Sequence, residues 1–148
     1  MPRLVTALIA SLALAGPALA DIEEIPAEGS VSQVADRLES AITDAGAKVF
    51  LRVDHAAGAK SVDMALDDSE VVIFGNPKLG SQPMQDDIRA GLYLPLKMLV
   101  FSKEGTTHIA WEEPEEMFDD LDIDEDAAYL TKMENAMKMF AQKAAAAE

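Results

Sequence analysis

The 148-residue chain carries 27 acidic residues against 12 lysines and arginines, a formal charge of −15, and it contains no cysteine. A surface so acidic repels phosphate backbones and anionic lipid headgroups, which argues against nucleic-acid binding. Without cysteine there is neither a disulfide nor thiol chemistry, so stability must come from an apolar core.

The chain opens with Met1-Pro2-Arg3, an apolar run from Leu4 to Ala15, then Gly16-Pro17 and Ala18-Leu19-Ala20. A basic start, a short apolar segment and small residues at the −3 and −1 positions are the plan of a secretory signal peptide, cut between Ala20 and Asp21. The run is shorter than the ~20 residues that cross a bilayer, and Gly16-Pro17 breaks its helix, so no stable membrane anchor is expected after cleavage. No cysteine at the cut means no lipid-modified terminus. The expectation is an exported protein, periplasmic or secreted, whose remaining length suits one domain.

Residues 21–114 are expected to form an α+β domain. An edge strand around Ile22 to Ile25 is limited by Pro26. Ser30 followed by Gln33 reads as a capping box, Val31, Val34, Leu38, Ile42 and Ala45 recur at helical spacing, and Gly46 supplies the stop. Lys48 to Asp54 alternates Val49, Leu51 and Val53 with Phe50, Arg52 and Asp54, as a strand does. Small residues Ala56-Ala57-Gly58-Ala59 then lead to Val62–Leu66 and an acidic turn at Asp67-Asp68. Val71 to Phe74 is a continuous apolar run suited to a strand buried on both faces, ended by Gly75-Asn76-Pro77. Pro83 should open a short helix through Met84 and Ile88, closed by Gly91. Leu96–Phe101 and Thr107–Glu113 form the clearest hairpin, joined across Lys103-Glu104-Gly105-Thr106.

Residues 115–148 comprise an acidic segment, Glu115 to Asp126, and a long C-terminal helix whose apolar face is marked by Leu130, Met133, Met137 and Phe140. Acids lie at its start and Lys143 near its end, as the helix dipole favours. The whole reads as a mostly antiparallel sheet with helices packed on one face, a single compact domain plus a C-terminal helix.

Phe74-Gly75-Asn76-Pro77-Lys78-Leu79-Gly80, preceded by Asp54-His55 and followed by Leu94-Pro95-Leu96-Lys97, resembles the domain of unknown function 302 family. The likeness runs from about Ser30 to Pro114. It implies a compact α+β domain, found in prokaryotes alone or attached to other modules, with no established reaction. Its motif positions here are Asp54, His55, Gly75, Asn76, Pro77, Leu94, Pro95 and Lys97.

Physically, Gly75, Pro77 and Pro95 make stiff turns, Gly75 by left-handed backbone or by letting a neighbour approach closely. Asn76 either hydrogen-bonds that turn or points into a cleft as donor and acceptor. His55, at a strand end, could serve as general base, metal ligand or hydrogen-bonding clamp. Asp54 precedes it, although consecutive strand residues face opposite sides. Lys97 shares a face with Leu99 and Phe101 and either snorkels into water or is partly buried as an anion anchor or amine nucleophile.

Metal and cofactor readings fare worse. Asp120, Asp122 and Asp124 copy the first acids of a calcium loop, but Glu125 replaces its glycine and Thr131 its final glutamate. With only His55 and His108, a closed zinc site is not expected. Met133, Met137 and Met139 could suit cuprous copper, yet methionine on an apolar helical face is ordinarily core. No cofactor is implied.

Three functions follow. The first is an exported small-molecule binding or sensing domain, with an anionic or polar ligand held in one cleft by His55, Asn76 and Lys97, and Asp54 or the ligand balancing Lys97. The second is a periplasmic enzyme with His55 as general base and Lys97 as an electrophilic or anion-stabilising group. The third is a structural role, as a homodimer made through exposed sheet or the C-terminal helix.

Overall fold

A computed structural model describes residues 22–147; the segment expected to be a signal peptide, and its expected cleavage point, lie outside them. The elements are β1 (Ile22–Ala27), α1 (Val31–Asp44), β2 (Lys48–Asp54), α2 (His55–Lys60), β3 (Ser69–Gly75) and α3 (Pro77–Asp86). A 3-10 helix (Ile88–Leu92), β4 (Leu96–Lys103), β5 (Thr106–Glu112), α4 (Pro114–Met117) and α5 (Ala128–Ala145) complete the chain. The five strands form one sheet in the order β1-β5-β4-β3-β2. Every neighbouring pair is antiparallel.

α1 begins with the capping box read from the sequence: the Ser30 hydroxyl accepts from the Gln33 amide, and the Gln33 side chain accepts from the Ser30 amide at 3.0 Å. Gly46, with φ of 78°, turns the chain toward β2 after the helix ends. Val31, Val34, Leu38 and Ile42 are buried beneath the sheet, each contributing about 1.5–3 kcal/mol by leaving water.

α5 lies beside α1 in the same layer. Its Met133, Met137, Phe140 and Ala144 are buried in the common core, so the C-terminal helix completes the domain rather than trailing from it. The Phe140 ring meets Phe74 of β3 edge-on, with centroids 5.7 Å apart. At its end the Ala144 carbonyl accepts from Arg37 Nε at 2.9 Å and the Ala145 carbonyl from the Glu28 amide at 2.8 Å. Those bonds satisfy carbonyls that a helix end leaves open.

β4 and β5 form the expected hairpin. Glu104 and Gly105 both have positive φ, 53° and 81°, the backbone that a two-residue hairpin turn requires. The acidic segment is also laid down on the core. Met117 and Phe118 are buried, and Leu121 and Ile123 are packed against them.

Three expectations change. β3 is not buried on both faces: Val72 and Phe74 are buried under the helices, whereas Val71 and Ile73 on the other face are partly exposed, because among the described residues helices cover only one side. β2 does not alternate throughout. A bulge between Val49 and Leu51 inserts one residue, so Val49 faces the core while Leu51 and Val53 face the open side. Pro83 does not open a helix either. It lies buried inside α3, which starts six residues earlier because Asn76 caps it and Pro77 takes its first position.

An apolar cavity built by the motif residues

The carboxyl end of β3 and the amino end of β4 lie side by side, with Phe74 opposite Leu96 in the register. The chain leaves β3 through Gly75-Asn76-Pro77 into α3 and enters β4 through Leu94-Pro95, joined by a cis peptide bond. Between these two junctions, α3 and the 3-10 helix enclose a cavity of about 460 Å³. That volume falls within the range of small-molecule pockets.

Its lining is almost wholly apolar. Leu79, Met84, Leu94 and Leu96 form the walls together with Pro77 and Pro95, Met133 of α5 reaches it from the helix layer, and Phe50 borders it from β2. Asn76 and Ser81 are the polar side chains in this lining. Gly80 and Gly91 leave room that a side chain would fill: a Cβ on Gly80 would meet only Leu94 Cδ1, at 4.0 Å.

The turn that shapes the cavity is internally braced. Asn76 Oδ1 accepts from the Lys78 amide at 3.0 Å, and the Asn76 carbonyl accepts from the Leu79 and Gly80 amides. Gly75 serves by close approach, since a Cβ there would stand 3.2 Å from Phe50 Cε2.

Behind the cavity two carboxylates fasten the wall. Asp87, at the start of the 3-10 helix, accepts from the Arg89 side chain and amide and from the Asp122 amide. Its carboxyl is held well below the usual carboxylate range, first by the Arg89 side chain and then by those amides, against the cost of burial. The neighbouring Asp86 accepts from the Tyr129 hydroxyl at 2.6 Å, tying α3 to α5. Burial, reinforced by that bond to Asp86, pushes the Tyr129 phenol up.

The predicted site residues are divided by the sheet. Lys48 pairs with Gly75 and Asp54 with Glu70, so β2 ends where β3 begins. His55 follows Asp54 and therefore lies about six strand residues from Asn76, roughly 20 Å away. Both stand at carboxyl ends, but adjacent antiparallel strands place those ends at opposite edges. His55 is exposed and opens α2, while Asp54 caps that helix, its Oδ1 accepting from the Ala57 amide at 2.8 Å. Lys97 pairs with Ile73 on the open face and is exposed. Asp54 is engaged elsewhere and does not face it. A common cleft of His55, Asn76 and Lys97 is thus not formed, and with it goes the pairing of His55 as base with Lys97 as electrophile.

Of the motif positions, Gly75, Asn76, Pro77, Leu94 and Pro95 line the cavity, and Asp54, His55 and Lys97 do not. The rest of the lining, including Phe50, Leu79, Gly80, Met84, Gly91 and Met133, was not singled out from the sequence as part of a site. A signal existed in the two glycines, which a helical segment otherwise avoids. Met133 carried none, because a cavity-lining methionine and a core methionine have the same helical spacing. Among the described residues no group of three or more His, Asp or Glu side chains could hold a metal ion. Asp122 spends its amide on Asp87, and Asp124 Oδ1 accepts from the Asp126 amide.

Fold and cavity together define a two-layer α+β domain with an apolar pocket at the β3–β4 end of its sheet. The chain belongs to the family described as Domain of unknown function DUF302, which it matches over residues 23–140, beyond both ends of the stretch that carries the motifs. It superimposes on a crystal structure of an uncharacterized conserved DUF302 protein from Bacillus stearothermophilus with a TM-score of 0.77. That alignment has 14% identity and covers 83% of this chain and 97% of the other, which establishes the common fold. Over 72 residues, 49% of this chain, it is 42% identical to proteins named Fluoride-specific ion channel FluC 1 from Brucella suis and from Brucella abortus. The alignment covers only 28% and 27% of those two curated relatives.

Proposed function

We propose that the protein is an exported binding or sensing domain that holds a small, largely apolar molecule in the cavity between β3, α3, the 3-10 helix and β4. The observation that carries this reading is the coincidence of the cavity with the motif residues Gly75, Asn76, Pro77, Leu94 and Pro95. Stiff turns at both strand junctions hold its mouth in shape before any ligand arrives, which lowers the ordering cost of binding.

The lining selects the ligand. Leucine, methionine and proline side chains reward the burial of hydrocarbon at about 25 cal/mol per Å² of apolar surface, whereas a bare anion would lose its hydration without gaining a cation. Lys97 faces the other side of the sheet, so the anionic or polar ligand expected from the sequence has no charged anchor here. Asn76 offers one polar point at the rim for orientation. Binding without chemistry also suits the lining, which has neither a nucleophile beside a base nor a general acid. A stretch matching half of this chain makes up about a quarter of the Brucella relatives named as ion channels, which is in keeping with an accessory that reads a small molecule.

The reading is tested with N-phenyl-1-naphthylamine, a neutral apolar fluorophore, titrated into the protein. Saturable binding with one site per chain is expected, weakened at least tenfold by Gly80→Leu, which grows a side chain into the cavity. His55→Ala and Lys97→Met should leave it unchanged. An absence of saturable binding, or indifference to Gly80→Leu, refutes the assignment.

A further inference from the structure

The sheet has a second apolar surface that the described residues leave uncovered. The residues of β2, β3 and β4 that alternate with the core positions are Leu51 and Val53, Val71 and Ile73, and Leu99 and Phe101. In the register Val53, Val71 and Leu99 form one row across three strands, with Leu51 and Ile73 in the next. All six are at least partly exposed, and Leu51 is 54% exposed. α1 and α5 pack on the opposite face, and an antiparallel sheet open to water normally carries polar side chains on that side. Apolar side chains there instead mark a surface that works in contact with something.

We propose that a second copy of this chain covers this face, in a twofold dimer built by stacking the two sheets. Charge distinguishes this partner from others. The chain has an excess of 15 acids, yet the open face carries Lys48, Lys97 and Lys103 against Glu24 and Glu112, close to neutral. Part of that charge is already internally satisfied, since Glu24 lies 3.5 Å from Lys103 Nζ and 2.8 Å from His108 Nδ1. A basic partner would find its acids elsewhere on the molecule, and the protein's own charge repels an anionic membrane. On a face so near neutral, two such acidic chains meet without strong repulsion.

The area is sufficient. Five strands ~4.8 Å apart, each presenting about six residues at ~3.3 Å, span on the order of 450 Å² in projection. Two such faces bury close to the ~1,000 Å² at which specific interfaces begin, and accessible area exceeds the projection. Contact residues repeat on both copies, as twofold symmetry requires, and Lys97 can then reach a carboxylate across the axis.

Sedimentation equilibrium of the exported protein, produced from the full-length chain, tests this. Twice the chain mass is expected. Leu51→Glu and Lys97→Glu, both at exposed positions, should each weaken association at least tenfold, with unaltered far-UV circular dichroism and melting. Leu92→Glu, which removes an even more exposed leucine from the 3-10 helix away from this face, should leave the dimer intact. A wild-type protein that stays monomeric overturns the proposal, including one that sediments with anionic vesicles instead. So does a dimer that Leu92→Glu dissociates while Leu51→Glu and Lys97→Glu do not.

Discussion

The two ends of the β2–β3 pair carry the two halves of the family's motif and do different work with them. At one end Gly75-Asn76-Pro77 and Leu94-Pro95 converge on a cavity floored by Met133. At the other, Asp54 and His55 begin a six-residue helix in which nothing is buried. Asn76 and Asp54 play the same local part, each capping the helix that follows its strand. The difference lies in what stands opposite. β3 hands over to α3 beside the entry to β4, so two junctions and two short helices close around a space. β2 is an edge strand, and the cleft beyond its end, lined by Asp54, Lys60, Asp67, Asp68 and Glu70 as well as Met64 and Leu66, is polar and charged where the β3–β4 cavity is apolar. The apolar character of the β3–β4 cavity comes from neighbours across the sheet and from α5, not from the Gly75-Asn76-Pro77 turn by itself.

That contrast can be broken most forcefully at the cavity floor. Met133→Ala removes a side chain that is 1% exposed and should cost about 2–5 kcal/mol in urea unfolding while loosening ligand binding. A loss near zero would mean that the cavity is not packed as described. Gly75→Ala comes next: the added methyl must displace Phe50, and a destabilisation of about 1–3 kcal/mol with altered probe affinity is expected.

Acid should act at the cavity end through Asp87. Its carboxyl titrates below the unfolded range in the folded protein, so its contribution is complete above about pH 4 and lost as pH falls through the folded value. Asp87→Asn should therefore lower the melting temperature at neutral pH, and the gap from wild type should close as acid is added. A gap that stays constant down to pH 2 would show that the charge of Asp87 is not what holds the wall.

The distal end should respond weakly. Asp54→Ala removes a cap and should cost about 1 kcal/mol without touching probe binding. His55→Ala should change stability by no more than about 0.5 kcal/mol, the ordinary range for an exposed side chain. A large effect of His55→Ala on binding would move the functional site to the other end of the sheet.

Much of the fold was legible. The capping box at Ser30, the hairpin turn at Glu104-Gly105 and the apolar stripe of α5 depend on residues a few positions apart, and local chemistry decides them. β2 was read as a strand with unbroken alternation, which grouped Val49 with Leu51 and Val53, since a bulge is one extra residue whose presence depends on the partner's hydrogen bonds. Pro83 misled because a proline signals a helix start only when no earlier cap has already begun the helix.

The candidate site was legible in part for the same reason. Gly75, Asn76, Pro77, Leu94 and Pro95 could be singled out from the chain, and the class of fold and its family followed from residue order alone. Which of them share a site could not be read there. Proximity between distant residues is set by strand order and direction, and the antiparallel pairing of β2 with β3 sends His55 and Asn76 to opposite edges. The face on which Lys97 projects depends on which side the helices cover. Burial of Met133 against the cavity depends on how α5 packs. Sequence determined the turns, caps and periodicities, because their free energies lie within one element; tertiary structure alone decided the cavity, its apolar character and the bare face of the sheet, because those arise from contacts between elements.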